Sequence, residues 1–159
     1  MSLVKSKRLS RSPLVPTTID IAVTSLLAIE TDGEGFTDFS EEVKRFVAES
    51  GVVSGMVTLF LRHTSASLTI QENADPDVLK DLLTVFQRLA PRDGGWIHTT
   101  EGPDDMPAHI RTMLTATSLQ VPVFAGRLAL GTWQGIYLVE HREHPHRREV
   151  VMQVIGSKA

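Results

Sequence analysis

From Thr17 to Ile29, Ile19, Ile21 and Val23 alternate with Thr18, Asp20 and Ala22. That two-residue period predicts a strand with one buried face. Asp32-Gly33-Glu34-Gly35 then reads as a turn. Phe39, Val43, Phe46 and Val47 recur at helical spacing, with Glu41, Glu42, Lys44 and Arg45 on the opposite side. Ser40 is placed to cap that helix and Gly51 to stop it. Val52–Leu61 reads as a buried strand and Ser67–Gln71 as another. Asp75-Pro76-Asp77 opens the clearest helix: Asp75 can cap, and Pro76 sits where its missing N–H is harmless. Val78, Leu79, Leu82, Leu83, Phe86 and Leu89 form its apolar face, and Pro91 with Gly94-Gly95 ends it. The stretch from Asp93 to Pro107 is polar and rich in turn residues, and Pro107–Thr117 predicts a third helix with His109 in its first turn.

Four β segments follow, at Leu119–Phe124, Arg127–Leu130, Gly135–Glu140 and Glu149–Ile155. Between the second and third, Gly131-Thr132-Trp133-Gln134-Gly135 interrupts the apolar pattern. Glycine inside a strand pattern marks a bulge, a turn or the close approach of another backbone. Short connections between the late strands favour antiparallel pairing. The order of elements gives an α+β class: a single compact domain with antiparallel sheet and about three helices. Residues 1–16 are expected to be a mobile N-terminal tail and residues 17–159 the domain.

Composition narrows the chemistry. The chain has no cysteine, which excludes disulfides and thiolate metal sites, so any metal must be held by His, Asp or Glu. Its net charge of −3, with both signs interspersed, argues against a general nucleic-acid binder. The longest apolar run, Met56–Leu61, is far short of the roughly 20 residues that span a bilayer. The basic, Ser-rich stretch Met1–Ser12 has no apolar segment behind it and does not read as a secretory signal. The expectation is therefore a cytoplasmic protein without nucleic-acid or membrane partners.

The six histidines fall into two groups. His141, His144 and His146 share a basic segment with Arg142, Arg147 and Arg148, which reads as a solvated turn whose arginines could take phosphate. His63, His98 and His109 lie at the ends of expected elements beside hydroxyls or acids. Three imidazoles with carboxylates nearby could hold one divalent ion and leave a position open for water or substrate. Their spacing matches no local metal motif. Glu72 and Asn73 occupy a strand-to-helix junction, a position where rigid scaffolds present functional groups. Glu101, Asp104 and Asp105 form a negative cluster in a loop shaped by Gly102 and Pro103.

Together these segments resemble the YjbQ-like family. The first is His63-Thr64-Ser65-Ala66-Ser67 running through Gln71-Glu72-Asn73-Ala74-Asp75-Pro76-Asp77-Val78. Glu101-Gly102 with Ala108-His109-Ile110 is the second; Ser118–Val123 followed by Gly126-Arg127-Leu128 and Gly131-Thr132-Trp133-Gln134 is the third. The likeness runs from about Thr17 to Gly156. It departs at Pro103-Asp104-Asp105-Met106-Pro107, where many relatives carry an Asn-rich stretch. The resemblance implies an antiparallel α+β fold, a homotrimer with clefts near subunit contacts, and a weak secondary thiamine-phosphate synthase activity. That reaction joins a pyrimidine methyl diphosphate to a thiazole phosphate and releases pyrophosphate.

On this reading His63, Glu72, Asp75 and Glu101 are candidate catalytic residues. Asn73, Thr64, Trp133, Gln134 and Arg148 are candidates for binding substrate, with Trp133 stacking on the pyrimidine. His63, His98 and His109 are candidate ligands of a divalent metal, zinc or magnesium. Two alternatives stay open: a metal-dependent hydrolase or transferase on another phosphorylated metabolite, and a non-catalytic trimer that binds a small anion.

Overall fold

Alternation does produce the first strand, displaced towards the C-terminus of the expected span. In the computed structural model, which describes residues 10–158, β1 is Ile21–Thr31, and residues 10–20 precede it as exposed chain without helix or strand. Most of the expected N-terminal tail, residues 1–9, lies outside the described residues. The bend at Gly33-Glu34 leads into β2 (Gly35–Asp38), a strand the residue pattern did not announce. Helix α1 (Ser40–Ser50) follows and stops at Gly51, whose φ of 71° is the left-handed conformation that terminates helices. Ser40 is not its cap. It is the first helical residue, and Asp38 Oδ1 accepts both its backbone N–H at 2.8 Å and its hydroxyl at 2.6 Å. The Ser40 Oγ in turn accepts from Ile136 N–H, tying the helix start to a strand.

Strand β3 (Val52–Leu61) has the expected bounds, and β4 (Ala66–Glu72) extends the expected span by a residue at each end. Helix α2 (Pro76–Leu89) begins as expected, with the Asp75 carboxylate accepting from Asp77 N–H at 2.9 Å. Helix α3 (Asp105–Leu114) starts two residues before the predicted Pro107. Proline is tolerated there because the first turn of a helix has no intrahelical N–H bonds to lose. The last strands are β5 (Ser118–Phe124), β6 (Arg127–Leu128), β7 (Gln134–Glu140) and β8 (His146–Lys158). Ala125 and Gly126, with φ of 49° and 75°, make the two-residue turn joining β5 to β6.

The strands form two antiparallel sheets, one of order β1-β8-β3-β5-β6 and a smaller one of order β2-β7-β4. Val43 and Val47 of α1 join Leu59, Leu68, Ile136 and Val150 from both sheets in one buried core. Helix α2 is different: its apolar side is only half covered, none of its residues is fully buried, and Leu89 is 59% exposed. No helix among the described residues is long and apolar enough to cross a membrane.

Candidate functional site

The start of α3 places Asp105 and His109 one turn apart on the same helical face. The turn-rich segment before the helix returns His98 to the same point. Asp105 Oδ2 lies 2.7 Å from His98 Nε2 and 3.3 Å from His109 Nε2, and the three donor atoms all fall within 4.8 Å of one another. The Asp105 side chain is 2% exposed, whereas both rings reach solvent.

Hydrogen bonding fixes what these atoms can do. His109 Nδ1 lies 3.1 Å from the backbone carbonyl of Thr64, and a carbonyl only accepts, so Nδ1 carries the proton. In the neutral ring the Nε2 lone pair then faces a carboxylate oxygen. Two acceptors in that position need either a proton on one of them or a cation between them. One divalent ion would satisfy both imidazoles and the carboxylate at once, and a ring that donates its other N–H to a carbonyl is the usual support for a metal-bound histidine. Asp105 is oriented from behind: Arg142 Nη1 holds Oδ1, leaving Oδ2 for the two rings. Arg142 also donates from Nε to Asp104 Oδ2 at 3.0 Å and from Nη2 to the Glu101 carbonyl at 2.7 Å. Burial opposes charge on both partners, but their hydrogen bond and attraction win. Asp104 is held below the usual carboxylate range and Arg142 above its ordinary value. Two imidazole nitrogens and one carboxylate oxygen, open on the solvent side, are a donor set that fits a catalytic ion.

Two of the three expected ligands are thus brought together within the chain. His98 and His109 meet, Asp105 completes the group, and His63 stands elsewhere. His63 Nε2 accepts from Glu149 N–H at 2.9 Å. Burial is the largest cause lowering its pKa below the ordinary histidine value; Arg148 adds to that and Glu149 opposes it. The ring lines a pocket of 580 Å³ with Thr64, Ser65, Thr117, Arg62 and Arg148. Arg148 is buried and forks onto Glu140, with Nε to Oε2 at 2.7 Å and Nη2 to Oε1 at 2.6 Å. Glu140 also accepts from Thr31 Oγ1 and from the Arg142 backbone N–H. Its pKa stays below the usual value even though burial alone would raise it, because these donors favour the carboxylate.

The basic segment around His141 is therefore not a solvated turn. His141 is 1% exposed, its Nε2 is 2.8 Å from Ser67 Oγ, and its ring packs edge-on against Phe86. Burial first, then the nearby Arg111 charge, lowers its pKa to about 3. Arg142 and Arg148 are committed to buried acids, while His144, Pro145 and Arg147 stay exposed. The residue pattern shows Asp105 only as part of an acidic loop, His141 and Arg142 only as part of a basic turn, and Glu140 only as the end of a strand.

Of the remaining candidates, Glu72, Asn73, Asp75, Trp133 and Gln134 gather where β4 meets α2. Glu72, Ala74 and Trp133 line a recess of 280 Å³, with Trp133 65% exposed. The Trp133 carbonyl accepts from Asn73 N–H at 3.1 Å, and Gln134 Oε1 accepts from Gly131 N–H at 2.8 Å, which closes the loop on itself. A second groove, of 540 Å³, runs alongside and is lined by Lys44, Asn73, Arg127, Thr132 and Gln134. Asp75 caps α2. Glu101 contributes its carbonyl to Arg142, and the residue is exposed. The recess and the His63 pocket share no lining residue.

A family model described as UPF0047 protein YjbQ-like matches residues 25–157. A UPF0047 protein of Synechocystis sp. is 55% identical over 133 residues, covering 83% of this chain and 90% of that protein. The UPF0047 protein YjbQ of Escherichia coli O157:H7 is 42% identical over 132 residues, covering 82% and 96%. Among solved structures, a YjbQ/UPF0047 family protein of Clostridium acetobutylicum, described as uncharacterised, superposes with a TM-score of 0.77 at 40% identity, covering 82% of this chain and 98% of its own.

Proposed function

We propose that this chain, which belongs to the YjbQ-like UPF0047 family, is a metal-dependent enzyme of phosphorylated small molecules. The observation that carries the reading is the convergence of His98 Nε2, at 2.7 Å, and His109 Nε2, at 3.3 Å, on one oxygen of the buried Asp105. His98, Asp105 and His109 would hold the ion, zinc or magnesium. Bound there, a divalent ion supplies charge stabilisation for a departing phosphate or diphosphate. The chain's own residues do the rest. Thr64 fixes the His109 ring through its carbonyl, and Arg142 holds Asp105 so that one oxygen faces the rings. Trp133 offers an exposed indole on which a pyrimidine can stack, and Glu72 lines the same recess to accept from its amino group.

The reaction we propose first is the one the resemblance implies: displacement of pyrophosphate from a pyrimidine methyl diphosphate by a thiazole phosphate, giving thiamine phosphate. Purified protein supplied with both substrates and with zinc or magnesium should form thiamine phosphate, and Asp105→Asn should abolish it. No product with either ion sinks the transfer reading.

Hydrolysis of another phosphorylated metabolite is the second reading, and the donor set favours it: two imidazoles suit zinc-type ions, whereas magnesium prefers oxygen ligands. A panel of phosphomonoesters and diesters assayed with zinc-loaded protein separates the two. The third possibility, anion binding without turnover, predicts saturable ligand binding and silence in both assays.

We also propose that the working form is a homotrimer acting in the cytoplasm. The support for assembly is the apolar side of α2, which the chain's own core leaves half covered, with Val85 and Leu89 exposed.

A further inference from the structure

We infer that the pocket between the β3–β4 loop and β8 is a binding subsite for a phosphoryl group, built on Arg148 Nη1 and the Nδ1–H of His63. The Arg148 side chain is 5% exposed, and its position is set by the two-pronged contact with Glu140 and by Ser65 Oγ, which accepts from Nη2 at 3.1 Å. Nη1, with two N–H groups, makes no hydrogen bond among the described residues. It is not one of the sealed unpartnered nitrogens, which are Arg111 Nε and His141 Nδ1, so it keeps contact with the space of the pocket that Arg148 lines. A guanidinium held this way loses little freedom when it binds a ligand.

His63 adds a second donor. Its Nε2 accepts from Glu149 N–H, so the neutral ring carries its proton on Nδ1, and burial beside Arg148 favours the neutral ring. Nδ1 is also unpartnered among the described residues and not sealed. Thr64 and Ser65 bring hydroxyls to the same wall. Arg62, which also lines the pocket, pairs with Glu149 at 3.2 Å.

The geometry selects for shape as well as charge. A planar carboxylate is matched by the two-pronged edge of a guanidinium, and Glu140 already takes that edge. What remains is one nitrogen of Arg148 on β8, with one ring N–H and hydroxyls from the β3–β4 loop. A tetrahedral phosphoryl group, with three acceptor oxygens, can meet such donors together. The link to the metal centre runs through Thr64, which lines this pocket while its carbonyl accepts from His109 Nδ1–H. That a phosphorylated substrate held here presents its reacting end to the His98–Asp105–His109 cluster rests on the function proposed above. The binding of phosphate itself does not.

The test is a titration of the full-length chain with inorganic phosphate, with and without a chelator, read by the ring nitrogen and proton NMR signals of His63. Those signals are assigned by their loss in His63→Gln. The expected result is a saturable shift that persists with the chelator and that acetate does not reproduce. Arg148→Lys should weaken binding roughly tenfold or more, as expected for loss of a charge-assisted hydrogen bond. Should Arg148→Lys fail to fold, Ser65→Ala and the wild-type titration still decide. No shift at the highest soluble phosphate concentration overturns the subsite, as does an equal response to acetate or a response abolished by the chelator. Zinc binding measured on the same sample distinguishes the two proposals: zinc bound without a phosphate response leaves the metal centre standing alone. The reverse leaves the subsite standing alone.

Discussion

Lowering the pH from 7 to 5 should destabilise the folded chain mainly through one ring, that of His141. Unfolded, the imidazole takes a proton near pH 6.5; folded, its pKa is lowered to about 3, by burial first and then by Arg111 and Arg148, with Glu140 pulling the other way. The sign follows directly. The folded form binds fewer protons than the unfolded form throughout this window, so stability is complete above the unfolded pKa and is lost as pH falls towards the folded one. Between pH 7 and pH 5 the loss from a ring with these two pKa values is about 2 kcal/mol. His63, also lowered, adds to the loss with the same sign. The depressed carboxylates Glu140 and Asp104 act only as pH falls below their ordinary values of 4.5 and 3.8, beneath the window. Urea unfolding at pH 7, 6 and 5, at one protein concentration and with chelator present to remove metal linkage, measures the change as a shift in midpoint. In His141→Gln the dependence should flatten to what His63 contributes. A flat wild-type profile, or an unchanged slope in His141→Gln, refutes the reasoning.

Three further outcomes follow from other parts of the structure. Asp105→Asn should reduce bound zinc from one per chain to near zero by elemental analysis, while Glu101→Gln, which leaves the backbone carbonyl in place, should retain it. Trp133→Ala should leave stability within about 0.5 kcal/mol, because the ring is exposed. The same change should weaken binding of a pyrimidine cation by about 0.5–2 kcal/mol, read by calorimetry. Replacing Val85 and Leu89 together by Glu should convert a trimer to a monomer in sedimentation velocity, and a monomeric wild type at the same concentration would refute the proposed assembly.

What could be read from the residues depended on how local the determining interactions are. Strand β3 is a mostly apolar stretch that begins after Gly51, and α2 is announced by Asp75-Pro76 beside a regular apolar stripe, so both are legible. Strand β2 has four residues and exists because it pairs with β7, about a hundred positions further on, so no local period marks it. The basic segment near the C-terminus misleads for the same reason. Its charges look solvated until Glu140 of β7, Asp104 of the loop before α3 and Asp105 at the start of α3 are brought against them. Asp105 was closer to legible. Its four-residue spacing from His109 was visible, but starting the helix at Pro107 placed it in the loop instead of on the histidine's face.

The position of β8 bears on how this chain reaches its native state. It lies between β1 and β3, and Thr31 of β1 meets His146 across 115 positions. During vectorial synthesis both neighbours leave the ribosome long before the strand that joins them. The larger sheet therefore cannot close until nearly the whole domain has emerged, and a nascent chain stopped after β7 presents two unpaired edges. Such non-local closure is slow, and it leaves the chain open to mispairing with a second copy while it waits. Conversely, the last strand to arrive completes the pairing of both β1 and β3 and carries Arg148, so assembly of the sheet and sealing of the Glu140 carboxylate become one event.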